Sequence, residues 1–340
     1  MPTTPAITNK IKTEMSTYLI KQSDWDAASS SAKKTLAAMR LSNNSIEGST
    51  ETLDSDVKLP GTRIKAAPDT GTSSSSGALE SDFFIDEFDE LIASAMCSHW
   101  VEDSEQETGD VTEYKTLELG TDKTVWRMIK KFSQTPAEWK EYTGLQVNTL
   151  AITFALNSFV QLSFNMMGAN NPKGVSSDPV DSSKFNYGSV SDTQRFKTLI
   201  GYLKMGALAD DFSNMTAIRQ APNFEMTINN NKERTDALFE TEAIEMSDGD
   251  FEVSGSLDLW KADAIGMSLF NDSVDGVDKC IEIEVDRTVG TAKTSYTFQL
   301  KVHLQNPTEA KDGNKYKVTA PWSVNVDGGI KIIKKVESVS

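Results

Sequence analysis

Between Gly144 and Gly168 the chain alternates. In "GLQVNTLAITFAL" the residues Gln146, Asn148, Leu150, Ile152 and Phe154 share one face, and in "FVQLSFNMMG" Val160, Leu162, Phe164 and Met166 share another. A period of two puts alternate side chains on one side of a pleated strand. The runs therefore predict two antiparallel strands around a turn near Asn157 and Ser158, with Leu150, Ile152, Phe154, Leu162 and Phe164 as core or barrel positions. Upstream the period lengthens. Phe84, Phe88, Leu91, Ile92, Ala95 and Met96 recur at helical spacing while Asp86, Glu87, Asp89 and Glu90 fall mostly opposite, which predicts one amphipathic helix over 84–98.

Turn formers punctuate the rest. Gly48, Pro60, Gly61, Pro68, Gly71 and the run Ser73 to Ser76 mark a long projecting loop or hairpin over 45–76. Residues 1–30 are polar and rich in Ser and Thr, and are expected to be mobile until a partner orders them. The stretch "NPKGVSSDPVDSSKFNYGSVSD", 171–192, reads as a linker between halves. This gives a first β domain over 31–170 and a second over 193–340.

The halves resemble each other. "LSNNSIEG" from Leu41 is similar to "TINNNKER" from Thr227, and "SGALESDFF" from Ser76 is similar to "SGSLDLW" from Ser254, which aligns Gly77 with Gly255 and Leu79 with Leu257. At the same offset Leu91 falls on Leu269, within a second short helical stretch, and strand-like runs follow in "KCIEIEVDRT", "TSYTFQLKVHL" and "YKVTAPWSVNVDG". An internal duplication is the expectation.

Composition narrows the function. The 340 residues carry 34 Lys and Arg against 50 Asp and Glu, a net charge of -16, which argues against gripping a polyphosphate. Between Lys65 and Lys115 no Lys or Arg occurs at all. The two cysteines, Cys97 and Cys280, give no disulfide framework and point to synthesis in a reducing cytoplasm. The start lacks the continuous apolar run of a secretory signal, and no stretch has the roughly 20 apolar residues of a membrane helix.

Chemistry-bearing motifs are sparse. His99 and His303 lie in no nucleophile, zinc-protease or phosphate-loop context, and acid pairs such as Asp210 and Asp211 are expected by chance, so no catalysis and no cofactor are expected. "CSH" at Cys97 to His99 with Cys280 and His303 lacks the paired spacing of structural zinc. Asn271, Ser273, Asp275, Gly276 and Glu282 approach the spacing of a calcium loop, but Asn opens it, Asp278 takes an apolar place and "IEIEV" alternates like a strand. The scattered tryptophans Trp25, Trp100, Trp126, Trp139, Trp260 and Trp322 read as packing or subunit contacts.

In their order, "SGALESDFFIDEFDELIASAMCSHW", "EYTGLQVNTLAITFALNSFVQLSFNMMGAN" and "FEMTINNNKERTDALFETEAIEMSDGDFEVSGSLDLW" resemble the major tail tube proteins of long-tailed, non-contractile bacteriophages. The resemblance spans most of 41–325. It implies a mainly β fold, a sandwich or barrel with a flanking helix, assembled into stacked rings around a channel for DNA, in the tail of the virion. It also implies that the helix 84–98 lies on the outer wall and that loops reach from ring to ring, for which Ser49, Leu59, Pro60 and Arg63 are candidates. Three chains complete a ring if the duplication holds, six if it does not. Implied partners are further copies, a tape-measure protein in the lumen, and tail terminator and tail-tip proteins, with DNA passing unbound. The rival expectations are another β-sandwich virion protein, of the tail tip or a decoration, and the inner tube of a contractile injection system.

Overall fold

In the computed structural model, which describes residues 15–339 apart from 57–59, 61–62, 64, 66, 135, 191–193, 220, 262–263 and 325–328, the two alternating runs become the strands Glu138–Ala155 and Gln161–Gly168. They pair antiparallel with Ala151 opposite Ser163, and Asn157 takes a positive φ of 59° in the turn. Asn tolerates that left-handed conformation better than most residues.

Glu138–Ala155 serves two sheets. Its first part pairs with Trp126–Phe132, its second with Gln161–Gly168, and Gly144 lies at the changeover with φ +67°. In one sheet Trp126–Phe132 also pairs with Met15–Lys21, and that strand with Lys34–Met39. The other sheet is longer. It runs from Glu47–Leu53 to Asp69–Asp82, then Gln161–Gly168, Glu138–Ala155, Asn223–Asn229, Glu252–Trp260, Lys315–Ser323 and Thr308–Asp312, eight strands with every pairing antiparallel. Only the middle joint, Glu138–Ala155 with Asn223–Asn229, crosses from one half of the sequence to the other.

Over this long sheet the second half lays Gly201–Ala207, Asp278–Val289, Ala292–Leu304 and Ile330–Ser338. Val111–Glu118 of the first half completes that layer by pairing with Ile330–Ser338. One hydrophobic cluster runs through both halves, including Leu79, Phe164, Phe224, Leu257, Phe298 and Trp322. A smaller cluster holds Ile20, Leu36, Ile129, Trp139, Val180 and Phe185. Within 171–192, Phe185–Tyr187 pairs in parallel with Lys34–Met39, and Val180 and Phe185 are buried. Of residues 1–30, those before 15 lie outside the described residues, and Met15–Lys21 is a paired strand.

The predicted helix over 84–98 is shorter, Asp89–Ala95. Phe83 and Ile85 still bond as sheet, their N–H groups donating to the carbonyls of Val160 and Gln194, and Asp86 with φ 62° turns the chain before the helix starts. Within the chain the helix is mostly enclosed. Leu91, Ile92, Ala93, Ser94 and Ala95 are all buried, because the segment is apolar enough to pack on both sides.

Its carboxylates are spent on cations distant in sequence. Glu87 holds Arg40 at 2.6 Å, Glu90 pairs with Lys21, and Asp86 and Asp89 both reach Lys334 at 2.6 and 2.8 Å. Asp82, just upstream, holds Arg195 at 2.7 Å. The acidic run is one-sided in the sequence and largely neutralised in space.

Candidate assembly surface

The long sheet has two unlike faces. Register lines the apolar positions up across strands: Leu79, Phe164, Leu150, Ile228 and Val253 form one row, and Leu162, Ile152 and Met226 run in the next. Leu150, Ile152, Leu162 and Phe164 are nearly or fully inaccessible, and Phe154, close to Phe224, completes the set on the same face. All five strand positions singled out in the sequence thus meet in the core.

The opposite face is polar and built from short side chains. Across it one row reads Glu80, Ser163, Ala151, Thr227, Ser254 and Ser323, and the next reads Asp82, Gln161, Thr153, Glu225, Ser256 and Pro321. A third begins Ala78, Asn165, Thr149, Asn229 and Glu252. Asp258 on this sheet is bound by Lys317 at 2.8 Å, while Glu80, Glu225 and Glu252 have no ion pair among the described residues. A sheet with one apolar face and one polar face expects water on the polar side.

Both ends of the long sheet are open. Among the described residues Glu47–Leu53 pairs only with Asp69–Asp82, and Thr308–Asp312 only with Lys315–Ser323. All five residues of Thr308–Asp312 are exposed. At the other end the backbone is partly capped by side chains. The N–H of Ile46 donates to the Asn44 side chain, and the carbonyl of Ile46 accepts from the buried Lys130 ammonium. Burial pulls Lys130 below the ordinary lysine range against the opposing pull of Glu47. Burial pushes Glu47 up, but Lys130 and Lys140 outweigh it and hold its carboxyl below the ordinary range.

Of the four loop candidates, Ser49 lies in the edge strand Glu47–Leu53, Pro60 and Arg63 are exposed beyond it, and Leu59 lies outside the described residues. Sequence reasoning singled out no residue in the corresponding loop of the second half. There the hairpin Glu233–Thr235 with Glu245–Ser247 presents Leu238, Phe239 and Ile244 to solvent, Phe239 fully exposed with φ 71°. The signal available was "DALFE", an apolar pair among acids. The two loops touch, the Ser73 N–H donating to the Thr241 carbonyl at 2.8 Å.

The motifs weighed for chemistry are occupied structurally. His99 and His303 bond Asp122 and Asp278, and Cys97 is buried beside the Asn230 side chain. Glu282 accepts from Tyr202 and Gln299, and Asn271 and Ser273 lie within the helix Ala264–Val274. Trp322 stacks on Phe224 and Trp25 on Phe185. Among the described residues no group of three or more His, Cys, Asp or Glu is placed to hold a metal, and no helix is long and apolar enough to cross a membrane.

A family model described as phage tail tube protein matches residues 14–326. No curated protein matches the chain.

Proposed function

The chain belongs to the phage tail tube protein family, and on that premise we propose that it is the repeating subunit of stacked rings enclosing a channel through which DNA leaves the virion. The observation that carries this reading is the long sheet: apolar on one face, short and polar on the other, and open at both edges. An open edge is a template for another strand, and a subunit with two such edges polymerises or closes into a ring.

The polar face is the proposed channel lining. Its side chains are mostly Ser, Thr, Asn and Ala, with carboxylates at Glu80, Glu225 and Glu252 that have no ion pair among the described residues. Such a surface offers phosphate few donors of charge, and its acids repel DNA within the roughly 10 Å reach that salt allows. Subunits carrying Thr227→Lys, Ser163→Lys and Glu225→Lys are expected to form tubes of parental diameter, and phage built from them to eject DNA more slowly. Parental ejection rates would place this face away from the channel.

Duplication within the chain makes three chains per ring the expected count. The two halves of the long sheet on either side of the middle joint follow the same strand order, and Gly77 and Gly255 hold matching places in them. Ring-to-ring contact is assigned to the two adjoining loops, with Leu238 and Phe239 as apolar anchors. A tape-measure protein inside, and terminator and tip proteins at the ends, are the partners this role requires.

The test is electron microscopy of concentrated protein with end-on classification, together with the mass per ring. Hollow tubes with six lobes and three chains per ring are the expected result. Six chains would retain the conduit and remove the duplication, and compact closed particles would remove the conduit.

A further inference from the structure

The geometry points to the joint that links one copy of the chain to the next: Thr308–Asp312 of one copy pairs antiparallel with the segment 43–47 of its neighbour, Asp312 opposite Asn43, Ala310 opposite Ser45 and Thr308 opposite Glu47. This inference rests on the tube reading and adds the surface and the register by which rings close.

It is drawn from a joint the chain already contains. Glu138–Ala155 meets Asn223–Asn229 with Ala155 opposite Asn223, Thr153 opposite Glu225 and Ala151 opposite Thr227. On either side of that joint the ladder repeats residue by residue. Asn44 lies opposite Leu79 as Phe224 lies opposite Leu257, and Glu47 opposite Ser76 as Thr227 opposite Ser254. Gly77 lies opposite Met166 as Gly255 lies opposite Trp322. Ser163 lies opposite Ala151 as Thr319 lies opposite Thr308, and Gln161 opposite Thr153 as Lys317 opposite Ala310.

Close packing repeats too. A Cβ added to Gly77 would run into the carbonyl of Ser45, and one added to Gly255 into the carbonyl of Glu225, which the ladder places in the same position. Carrying the internal joint across this correspondence takes Asn223, Glu225 and Thr227 to Asn43, Ser45 and Glu47. It takes Ala155, Thr153 and Ala151 to Asp312, Ala310 and Thr308.

Those are the two open edges. Strand direction agrees as well. Seven successive antiparallel pairings leave the first and eighth strands antiparallel, so a copy rotated about the ring axis presents its Thr308–Asp312 antiparallel to the next copy's first strand. The contact is head-to-tail, the kind that closes a ring when the rotation permits. No like charges come opposite one another in the proposed register, a condition cross-strand pairs favour. In the isolated chain the Ile46 backbone is engaged by Asn44 and Lys130. Those bonds shield the edge and exchange for the partner strand on joining, a common way of protecting a strand edge.

The experiment uses the full chain with Ser45→Cys and Ala310→Cys, both exposed positions, the native cysteines being buried. Directly opposed antiparallel residues come within disulfide reach. Oxidation of assembled protein is expected to put most of the chain into covalent species whose ladder ends at the ring number, and Asn43→Cys with Asp312→Cys to do the same. Ser45→Cys with Lys311→Cys, out of register and on the other face, is expected to stay monomeric on denaturing gels. Tubes that form without either cross-link overturn the joint and leave the conduit standing. Cross-linked closed particles without tubes support the joint and remove the conduit. Cross-linking by Ser45→Cys alone would mean that like edges pair, and would overturn the joint.

Discussion

Gly255→Val is expected to lower the unfolding free energy measured in urea by about 3 kcal/mol or more, with loss of assembly. Gly255 lies on Glu252–Trp260, between Met226 of one neighbouring strand and Trp322 of the other. A side chain there has nowhere to go. Its first carbon would penetrate the Glu225 carbonyl and stand 2.8 Å from Trp322 Cε2, on a ring already stacked against Phe224 with centroids 5.5 Å apart. Overpacking a filled core typically costs about 1–3 kcal/mol, and more when backbone must move. Backbone is what blocks this site. The comparison is Ser256→Val, one residue on and on the polar face, which is expected to change stability by less than about 0.5 kcal/mol, as surface replacements do. Equal effects of the two would mean that Gly255 is not pinned between strands.

Gly255 also shows what the sequence could reveal. Aligning "SGAL" with "SGSL" picked out two glycines that the structure places in the same surroundings, because a requirement for no side chain leaves a mark at one position. The alternation from Leu150 to Phe164 was equally legible, since a half-buried sheet writes its faces into a period of two. The upstream alignment of Leu41 with Thr227 slips: the ladder matches Thr227 with Glu47, through their partners Ser254 and Ser76. Edge residues carry no burial constraint on their exposed side, so little in their chemistry fixes the register.

The acidic run misled for a different reason. Its helical spacing was real over Asp89–Ala95, but the amphipathic reading assumed that carboxylates face water. Their partners Lys21, Arg40, Arg195 and Lys334 come from four separate strands or loops, and no local window contains them. The polar face of the long sheet was illegible too. Short Ser, Thr and Ala residues look alike in sequence whether they line a lumen, a groove or an outer wall, and only the register of the strands collects them into rows.

The deepest of these ion pairs gives the second large effect: Lys334→Met is expected to destabilise the chain by about 3–5 kcal/mol at neutral pH, the range for breaking a buried pair from one side. Lys334 lies on Ile330–Ser338 between Tyr296 and Lys115, almost fully buried, and contacts Asp86, Asp89 and Glu113. Burial alone would pull its ammonium down, yet the carboxylates of Asp89 and Asp86 hold it above the ordinary lysine range. Asp89 is buried beneath it and accepts from the Tyr296 hydroxyl, and burial pushes its carboxyl above the ordinary 3.8 despite Lys334. Methionine in place of Lys334 strands that carboxylate. The pH dependence has a definite sign. A folded carboxyl raised above its unfolded value binds protons more readily in the native state, so it costs stability as pH rises through the folded value and regains it as pH falls. The deficit of Lys334→Met relative to the parent is therefore expected to be largest at neutral pH and to shrink on acidification toward pH about 4, near the ordinary carboxylate range. Asp89→Asn added to Lys334→Met removes the stranded charge and is expected to recover part of the loss at neutral pH while flattening this dependence. Urea unfolding of the three proteins across pH decides it. A deficit that stays constant with pH would show that Lys334 contributes packing alone, and that the carboxylates of the acidic run are held by something other than the cation beside them.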